Sequence, residues 1–432
     1  MTSLSAFDAA SILIVLAAVL GFINHQYLKL PSAIGLTVMG AVASLIVIGI
    51  DRLVPESHLT PLVLSFLTGI DFQTTLLDGM LSFLLFAGAL HVDWTEMQRG
   101  RWPIIVLSTV GVVVSTLIVG FGIYYLSHLI GLPAKLEWCF VFGALISPTD
   151  PVAVMGVLKR ANVPPLLQAT VAGESLFNDG VGVVVFAILV GVATGSEAFS
   201  FAHAAEAFAW EAGGGVVLGL AVGWVGYQAM RRIDDFNVEV MISLAVVMGG
   251  YSIAHWLHTS GPVAMAVAGL LIGNAAVADA MSETTRDYVL KFWALIDEIL
   301  NAVLFLLIGL EVIAITSDSR VMLLGLLAIP LVVMARFAAV AGPLVVMRNR
   351  LPFGPIGLPT LVWGGLRGGI SVALALSLPP SETRTAILGI TYVVVLFSVI
   401  VQGGSIGWLI ALIKARHPAS SDLAASVAAP RH

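Results

Sequence analysis

Apolar residues run along this chain in long blocks rather than in alternation. The blocks reach about twenty residues, the length at which a helix crosses a bilayer. Strands of a membrane barrel would alternate over about ten residues, and that pattern is missing. Thirteen candidate helices result, over approximately 8–25, 33–50, 74–91, 103–130, 136–158, 164–193, 208–230, 237–257, 262–279, 290–315, 321–347, 356–379 and 385–413. The stretch 60–72 is apolar but too short to span, and reads as an interfacial segment leading into the third helix. Backbone polar groups in lipid have to be satisfied within the segment, which makes helices the element. The predicted fold class is an all-α polytopic membrane protein.

Composition narrows the function classes. Hydrophobic residues make up 59% of the chain and charged residues 11%, against about 25% charged in soluble domains. So few charges cannot clothe a soluble surface. The lone Cys139 excludes a disulfide framework and a multi-thiolate metal site. A formal charge of −6 gives no basic footprint for nucleic acid.

Loop charges set the orientation. No Lys or Arg precedes Lys29, so the first helix lacks the basic start of a signal peptide. With the N-terminus outside, the outer loops hold only Arg52, Lys135, Arg320 and Arg384, while Arg336 and Arg367 fall within spans. The remaining Lys and Arg residues lie in inner loops or the tail, as the positive-inside rule requires. The C-terminus is then cytoplasmic. Residues 1–414 read as a single membrane unit in the lipid bilayer, followed by a short tail, 415–432. All loops are short, so the function must lie within the membrane.

Ionisable residues at membrane depth default to functional candidates. Here they are Asp150, Glu174, Asp179, Arg336 and Arg367, with Asp297, Glu298 and Glu311 in the tenth helix and an interfacial Glu239 starting the eighth. The fifth helix contains Ser147-Pro148-Thr149-Asp150-Pro151. Two prolines remove donors and clash with the preceding turn, so the helix should open at mid-membrane. The alternative is a kink in which Thr149 and Asp150 merely cap the restarted helix. The twelfth helix contains Gly364-Gly365-Leu366-Arg367-Gly368-Gly369, whose glycines weaken a helix centre. A close-packing glycine patch is the alternative there. The two breaks occupy matching places, each fifth in a set of six helices, across a linking seventh. That topology describes inverted six-helix repeats with two discontinuous helices, the sequence pointer to a transport site.

The sixth helix carries Glu174-Ser175-Leu176-Phe177-Asn178-Asp179. Ser175 and Asp179 share a face and Asn178 lies beside it. Glu174 lies about 140° from Asp179 and is expected to point elsewhere. A buried Glu174 needs a partner, for which Arg336 is the first choice and Arg367 the second. Asp179, Ser175, Asn178, Thr149 and Asp150 then form an oxygen-rich site near the first break. Oxygen ligands suit hard cations. No His belongs to the cluster. A single carboxylate can hold a proton or a metal cation but not both well, and that competition is itself an exchange mechanism.

At these residues the chain resembles the sodium/proton exchangers, and more narrowly the bacterial NhaP-type members of the monovalent cation/proton antiporter-1 branch. The matching strings are Ser147 to Pro151, Glu174 to Gly180 and Gly364 to Ile370, supported by Leu84 to Leu90 and Leu304 to Glu311. The resemblance implies a homodimer and an elevator-like movement of a six-helix core whose two discontinuous helices are crossed, with Asp179, Ser175 and Thr149 as ligands for Na⁺. It places a dimer domain at approximately 1–100 and 237–317, a core domain at 101–193 and 321–414, and the linking helix at 208–230. It implies that Asp179 carries cation and proton alternately, that Ser175 and Thr149 help coordinate, and that Asn178 and Asp150 shape the site. It also pairs Glu174 with a helix-eleven arginine, here Arg336. An Asn-Asp pair goes with electroneutral one-for-one exchange in that family. Some relatives carry Glu at the position aligned with Ala87, a possible ligand absent here.

The expected activity is Na⁺ or Li⁺ exchange for H⁺ across a bacterial inner membrane, with small cations as partners, no resident cofactor and no enzymatic reaction. K⁺/H⁺ exchange on the same fold and a cation channel are the alternatives. The chain has no charged ring or filter-like repeat to favour a channel.

Overall fold

The computed structural model describes residues 6–54, 58–69, 79–195, 200–277, 280–314, 318–347 and 353–416. Arg348, Arg350 and the predicted tail beyond residue 416 lie outside the described residues. Among the described residues the regular structure is helical, and one isolated β-bridge joins Asp150 to Leu366.

The chain opens with α1 (Ala6–Ile23) and α2 (Ser32–Leu53), followed by the short α3 (Leu59–Gly69) in the predicted interfacial stretch. Next come α4 (Leu81–Leu90), a six-residue α5 (Trp94–Arg99) that hydropathy did not announce, and the long α6 (Arg101–Leu129). Asp93 caps α5 by accepting from Thr95 and Glu96 N–H groups. The fifth predicted span is two helices, α7 (Leu136–Ile146) and α8 (Val152–Arg160), separated at the prolines. α9 (Pro165–Ala193) runs unbroken. The seventh predicted span is longer than 208–230: α10 (Phe201–Phe208) continues through a π-turn into α11 (Gly214–Met230).

α12 (Phe236–Trp256) and α13 (Gly261–Leu271) precede α14 (Glu283–Leu310). α14 starts well before the predicted 290, because the Ser282 side chain accepts from Thr285 N–H and begins the helix there. α15 (Ser319–Val346) contains Arg336. The twelfth span again divides, into α16 (Gly357–Trp363) and α17 (Gly369–Leu376). The last consists of α18 (Glu382–Phe397), a π-turn at Ser398–Gln402 and α19 (Gly403–Arg416). Among the described residues, eight helical stretches are long and apolar enough to cross a membrane alone. The third predicted span, 74–91, is described only from residue 79.

Packing follows two groupings. α6 lies against α7, α9 and α15, and α15 against α18. α13 lies against α4, α11 and α12, while α14 lies along α2. In lipid, close backbone approach replaces the hydrophobic drive between helices. Gly219 and Gly223 of α11 provide it against Ala264 and Ala268 of α13. Phe86 and Trp293 rings, 4.6 Å apart, fill the contact between α4 and α14. Leu81, Leu85, Ile104, Leu176 and Leu270 form a smaller cluster where the two groupings meet. Phe7, Tyr125, Trp224, Trp256 and Trp408 are exposed around the outside, as a lipid-facing surface requires. Glu239, expected at the interface, lies on the first turn of α12 and is completely buried by the protein there.

Candidate ion-binding site

The two interrupted helices meet at their breaks. Asp150 N–H donates to the Leu366 carbonyl at 2.8 Å, which is the β-bridge. Each extended segment thereby satisfies a backbone group that its broken helix cannot. α7 ends in carbonyls, the negative end of its dipole. Arg367 supplies the countercharge, with Nη1 donating to the carbonyls of Ser147 and of Pro148, the latter at 3.0 Å. Its own N–H donates to Ser398 Oγ at 2.8 Å, and that hydroxyl donates to Gln402 Oε1 at 2.7 Å. Arg367 therefore holds the crossing and is not the partner of Glu174. The Asp150 carboxylate accepts from Val152 N–H at 2.9 Å, capping α8 as the alternative reading of the break anticipated.

Gly365 and Gly368 act through clearance as well as helix weakening. A Cβ on Gly365 would lie 2.5 Å from Arg336 Nε, and one on Gly368 would lie 2.6 Å from Asp150 Cβ. Side chains there would displace the two charged groups. Gly364 and Gly369 bound the same break, and Pro148 and Pro151 flank the first one.

Thr149, Ser175 and Asn178 are brought together and buried. Thr149 Oγ1 lies 3.0 Å from Ser175 Oγ. Asn178 Nδ2 donates to Thr149 Oγ1 at 2.8 Å, and Asn178 Oδ1 accepts from Thr149 N–H at 3.2 Å. Asp179 is 5% exposed, its Oδ1 is buried without a hydrogen-bond partner, and Asp150 and Glu174 are its charged neighbours. The structure does not join Asp179 to Ser175 or Thr149 through a hydrogen bond.

Glu174 overturns its expected separation. It does not point away from the cluster, because Asn178 Nδ2 also donates to its Oε1 at 2.8 Å. The two residues are one helical turn apart, a relation that the comparison with Asp179 alone overlooked. Arg336 lies across Glu174 in a two-pronged pair, Nη1 to Oε1 and Nη2 to Oε2, both 2.7 Å. Arg336 Nε and Nη2 also donate to the Leu361 carbonyl at 3.0 and 2.8 Å. Such fork geometry, with the remaining donors satisfied, is what a buried ion pair needs.

Sequence reasoning missed Thr116, Ser398 and Gln402. Thr116 Oγ1 lies 3.2 Å from Ser147 Oγ, behind the first break. A hydroxyl in a helix interior carries no sequence signal of such a contact. Ser398 and Gln402 sit on a π-turn that hydropathy does not register. Ala87, where some relatives carry Glu, is fully buried. Among the described residues no group of three His, Cys, Asp or Glu gathers to hold a metal. One carboxylate among neutral oxygens is a donor set for a hard, weakly held cation.

Comparison with known proteins identifies the family. A family model described as the transmembrane sodium/hydrogen exchanger matches residues 13–412. The chain is 45% identical over 420 residues to the Na(+)/H(+) antiporter NhaP of Pseudomonas aeruginosa, covering 95% of this chain and 98% of that one. It is 33% identical over 397 residues to the Na(+)/H(+) antiporter NhaH of Halobacillus dabanensis, covering 88% and 91%. Its fold is similar to that of the sodium proton antiporter MjNhaP1 from Methanocaldococcus jannaschii, with a TM-score of 0.70, 21% identity, and coverage of 93% and 97%. The chain belongs to the sodium/hydrogen exchanger family.

Proposed function

We propose that this member of the sodium/hydrogen exchanger family exchanges one Na⁺ or Li⁺ for one H⁺, electroneutrally, at Asp179. The observation that carries the reading is Asp179 Oδ1, buried and without a hydrogen-bond partner, one helical turn from Ser175, whose hydroxyl meets Thr149 at the first helix break. An unpaired buried carboxylate is costly as a bare anion. A proton or a small cation removes that cost, and the two compete for the same atom.

The charge arithmetic supports one-for-one exchange. Glu174 is already neutralised by Arg336, and at the crossing Asp150 and Arg367 bring one negative and one positive charge. Asp179 is then the group whose charge the cargo balances, and swapping Na⁺ for H⁺ on it moves no net charge. Ser175 and Thr149 supply neutral oxygens, Asn178 holds Thr149 in place, and Asp150 shapes the restarted helix.

Alternating access would come from a core of approximately 101–193 and 321–414 moving against a dimer domain of approximately 1–100 and 237–317, with 208–230 linking them. The working unit is a homodimer in the bacterial inner membrane, N-terminus outside and C-terminus cytoplasmic.

Liposomes with an acidic interior test this reading. External Na⁺ should alkalinise the interior at a rate that ignores membrane voltage set by K⁺ and valinomycin. Voltage-dependent exchange would overturn the stoichiometry. Response to K⁺ but not to Na⁺ or Li⁺ would replace the cation, and ion currents through single molecules would replace the antiporter with a channel.

A further inference from the structure

The last span touches both broken helices at several levels. At its outer end Arg384 donates to the carbonyl of Leu376, the last residue of α17, at 2.9 Å. At its inner end Lys414 donates to the carbonyls of Ala161 at 2.7 Å and Asn162 at 3.0 Å, just past α8. Between them Ser405 Oγ accepts from Trp363 Nε1 at 2.9 Å, at the end of α16. Packing fixes the register: a Cβ on Gly403 would meet Leu366 Cδ1 at 3.2 Å, and one on Gly364 would meet Ile406 Cδ1 at 3.3 Å.

Ser398 reaches into the second break itself. Its Oγ accepts from Arg367 N–H at 2.8 Å. Arg367 is 2% exposed and lies ahead of α17, where helix pairing cannot satisfy its N–H. Thr391 and Ser405 donate their hydroxyls back to their own helix, at the carbonyls of Ile387 and Val401. Ser398 donates forward instead, to Gln402 Oε1 at 2.7 Å, across the π-turn that the two residues bound. Its proton is thereby engaged, and a lone pair is left for Arg367. Ser398 and Gln402 are 1% and 4% exposed, so water does not compete for these groups.

The first break depends on that anchored backbone. Arg367 Nη1 donates to the carbonyls of Ser147 and Pro148. The next residue, Thr149, places its Oγ1 3.0 Å from Ser175 Oγ. Asn178 holds Thr149 from the other side.

We propose that Ser398, its hydroxyl oriented by Gln402, is a positioning residue for the exchange reaction. By holding the Arg367 backbone it sets the guanidinium on the Ser147 and Pro148 carbonyls, and through them the Thr149 hydroxyl offered to the cation. The inference rests on the reading of Thr149 as a cation ligand. Losing Ser398 should weaken the cation and spare the proton, because Asp179 sits on the unbroken α9, outside this chain of contacts. The loss should be partial, since Asn178 still holds Thr149.

The test uses the whole protein in liposomes, with initial rates over a range of Na⁺ at a pH where protons do not compete. Ser398→Ala should raise KM for Na⁺ about tenfold, as for a ligand displaced by a fraction of an ångström, with kcat within about twofold. The pH at which KM begins to rise should match the wild type. In detergent, the Na⁺ concentration that raises the melting temperature should increase by the same factor as KM. Gln402→Met frees the hydroxyl and should raise KM about threefold. Ser398→Ala/Gln402→Met should match Ser398→Ala, because both act on one contact. Ser405→Ala removes a hydrogen bond from the same span to Trp363 and should leave KM unchanged. Should Ser398→Ala fail to fold, Gln402→Met carries the measurement. A wild-type KM in Ser398→Ala or Gln402→Met, a fall in kcat alone, or an equal rise of KM in Ser405→Ala would each overturn the inference and leave the exchange reading standing. Absence of Na⁺-driven exchange in the wild type would overturn both.

Discussion

Asn178 Nδ2 donates to Glu174 Oε1 and to Thr149 Oγ1, each at 2.8 Å. One amide thus ties a buried ion pair on α9 and α15 to the break between α7 and α8. Asn178→Asp removes both donors and sets a carboxylate against Glu174. Leaving the buried partners unsatisfied costs about 1–3 kcal/mol, with like-charge repulsion added. The melting temperature in detergent should fall clearly, and an unchanged value would show that the amide does not carry this link.

Arg336 is the only cation with an ion-pair contact to Glu174 among the described residues. Arg336→Ala leaves that carboxylate buried and alone, which costs about 3–5 kcal/mol. Glu174→Ala should cost about as much for the mirror reason. The double variant should be less destabilised than the two single effects added, since both report one contact. Strict additivity in the melting data would deny the coupling.

Asp179 Oδ1 is buried and makes no hydrogen bond. Asp179→Asn should therefore leave expression, melting temperature and assembly intact while abolishing exchange in liposomes. Retained exchange would remove Asp179 from the mechanism.

Competition on one carboxylate fixes the direction of the pH effect. Below the pKa of Asp179 the protonated form dominates, and the apparent KM for Na⁺ should rise about tenfold per pH unit as pH falls. Above it, KM should level off. Initial rates over a Na⁺ and pH grid measure this. A KM independent of pH would mean that proton and cation do not share a site.

Gly368 has a φ of −126°, so an alanine there meets no backbone strain. Its Cβ would instead press on the Asp150 side chain. Overpacking of that kind costs about 1–3 kcal/mol, and here it falls on the crossing. Gly368→Ala should slow exchange about tenfold or more with a modest loss in melting temperature. Wild-type exchange rates would show that the crossing tolerates displacement of Asp150.

Much of this protein is legible in its letters because lipid allows few solutions. Spans of about twenty apolar residues, a charge asymmetry across the loops, and proline or glycine runs inside two spans are local facts. They were enough for the fold class, both helix breaks and the cluster of Thr149, Ser175 and Asn178. Helix geometry alone could also have joined Glu174 to Asn178, one turn apart; measuring Glu174 only against Asp179 missed it.

Tertiary structure decided the contacts made between distant segments. Whether Arg336 or Arg367 reaches Glu174 depends on how α15 and α16 pack around α9, and no spacing encodes that. Arg367 faces the α7 carbonyls because the two broken helices cross at Asp150 and Leu366. The same crossing turns Gly365 and Gly368 into clearances for Arg336 and Asp150. Sequence determines which segments must break and bury charge, since those costs are local. Only three-dimensional packing determines which opposite charge or carbonyl offsets each one.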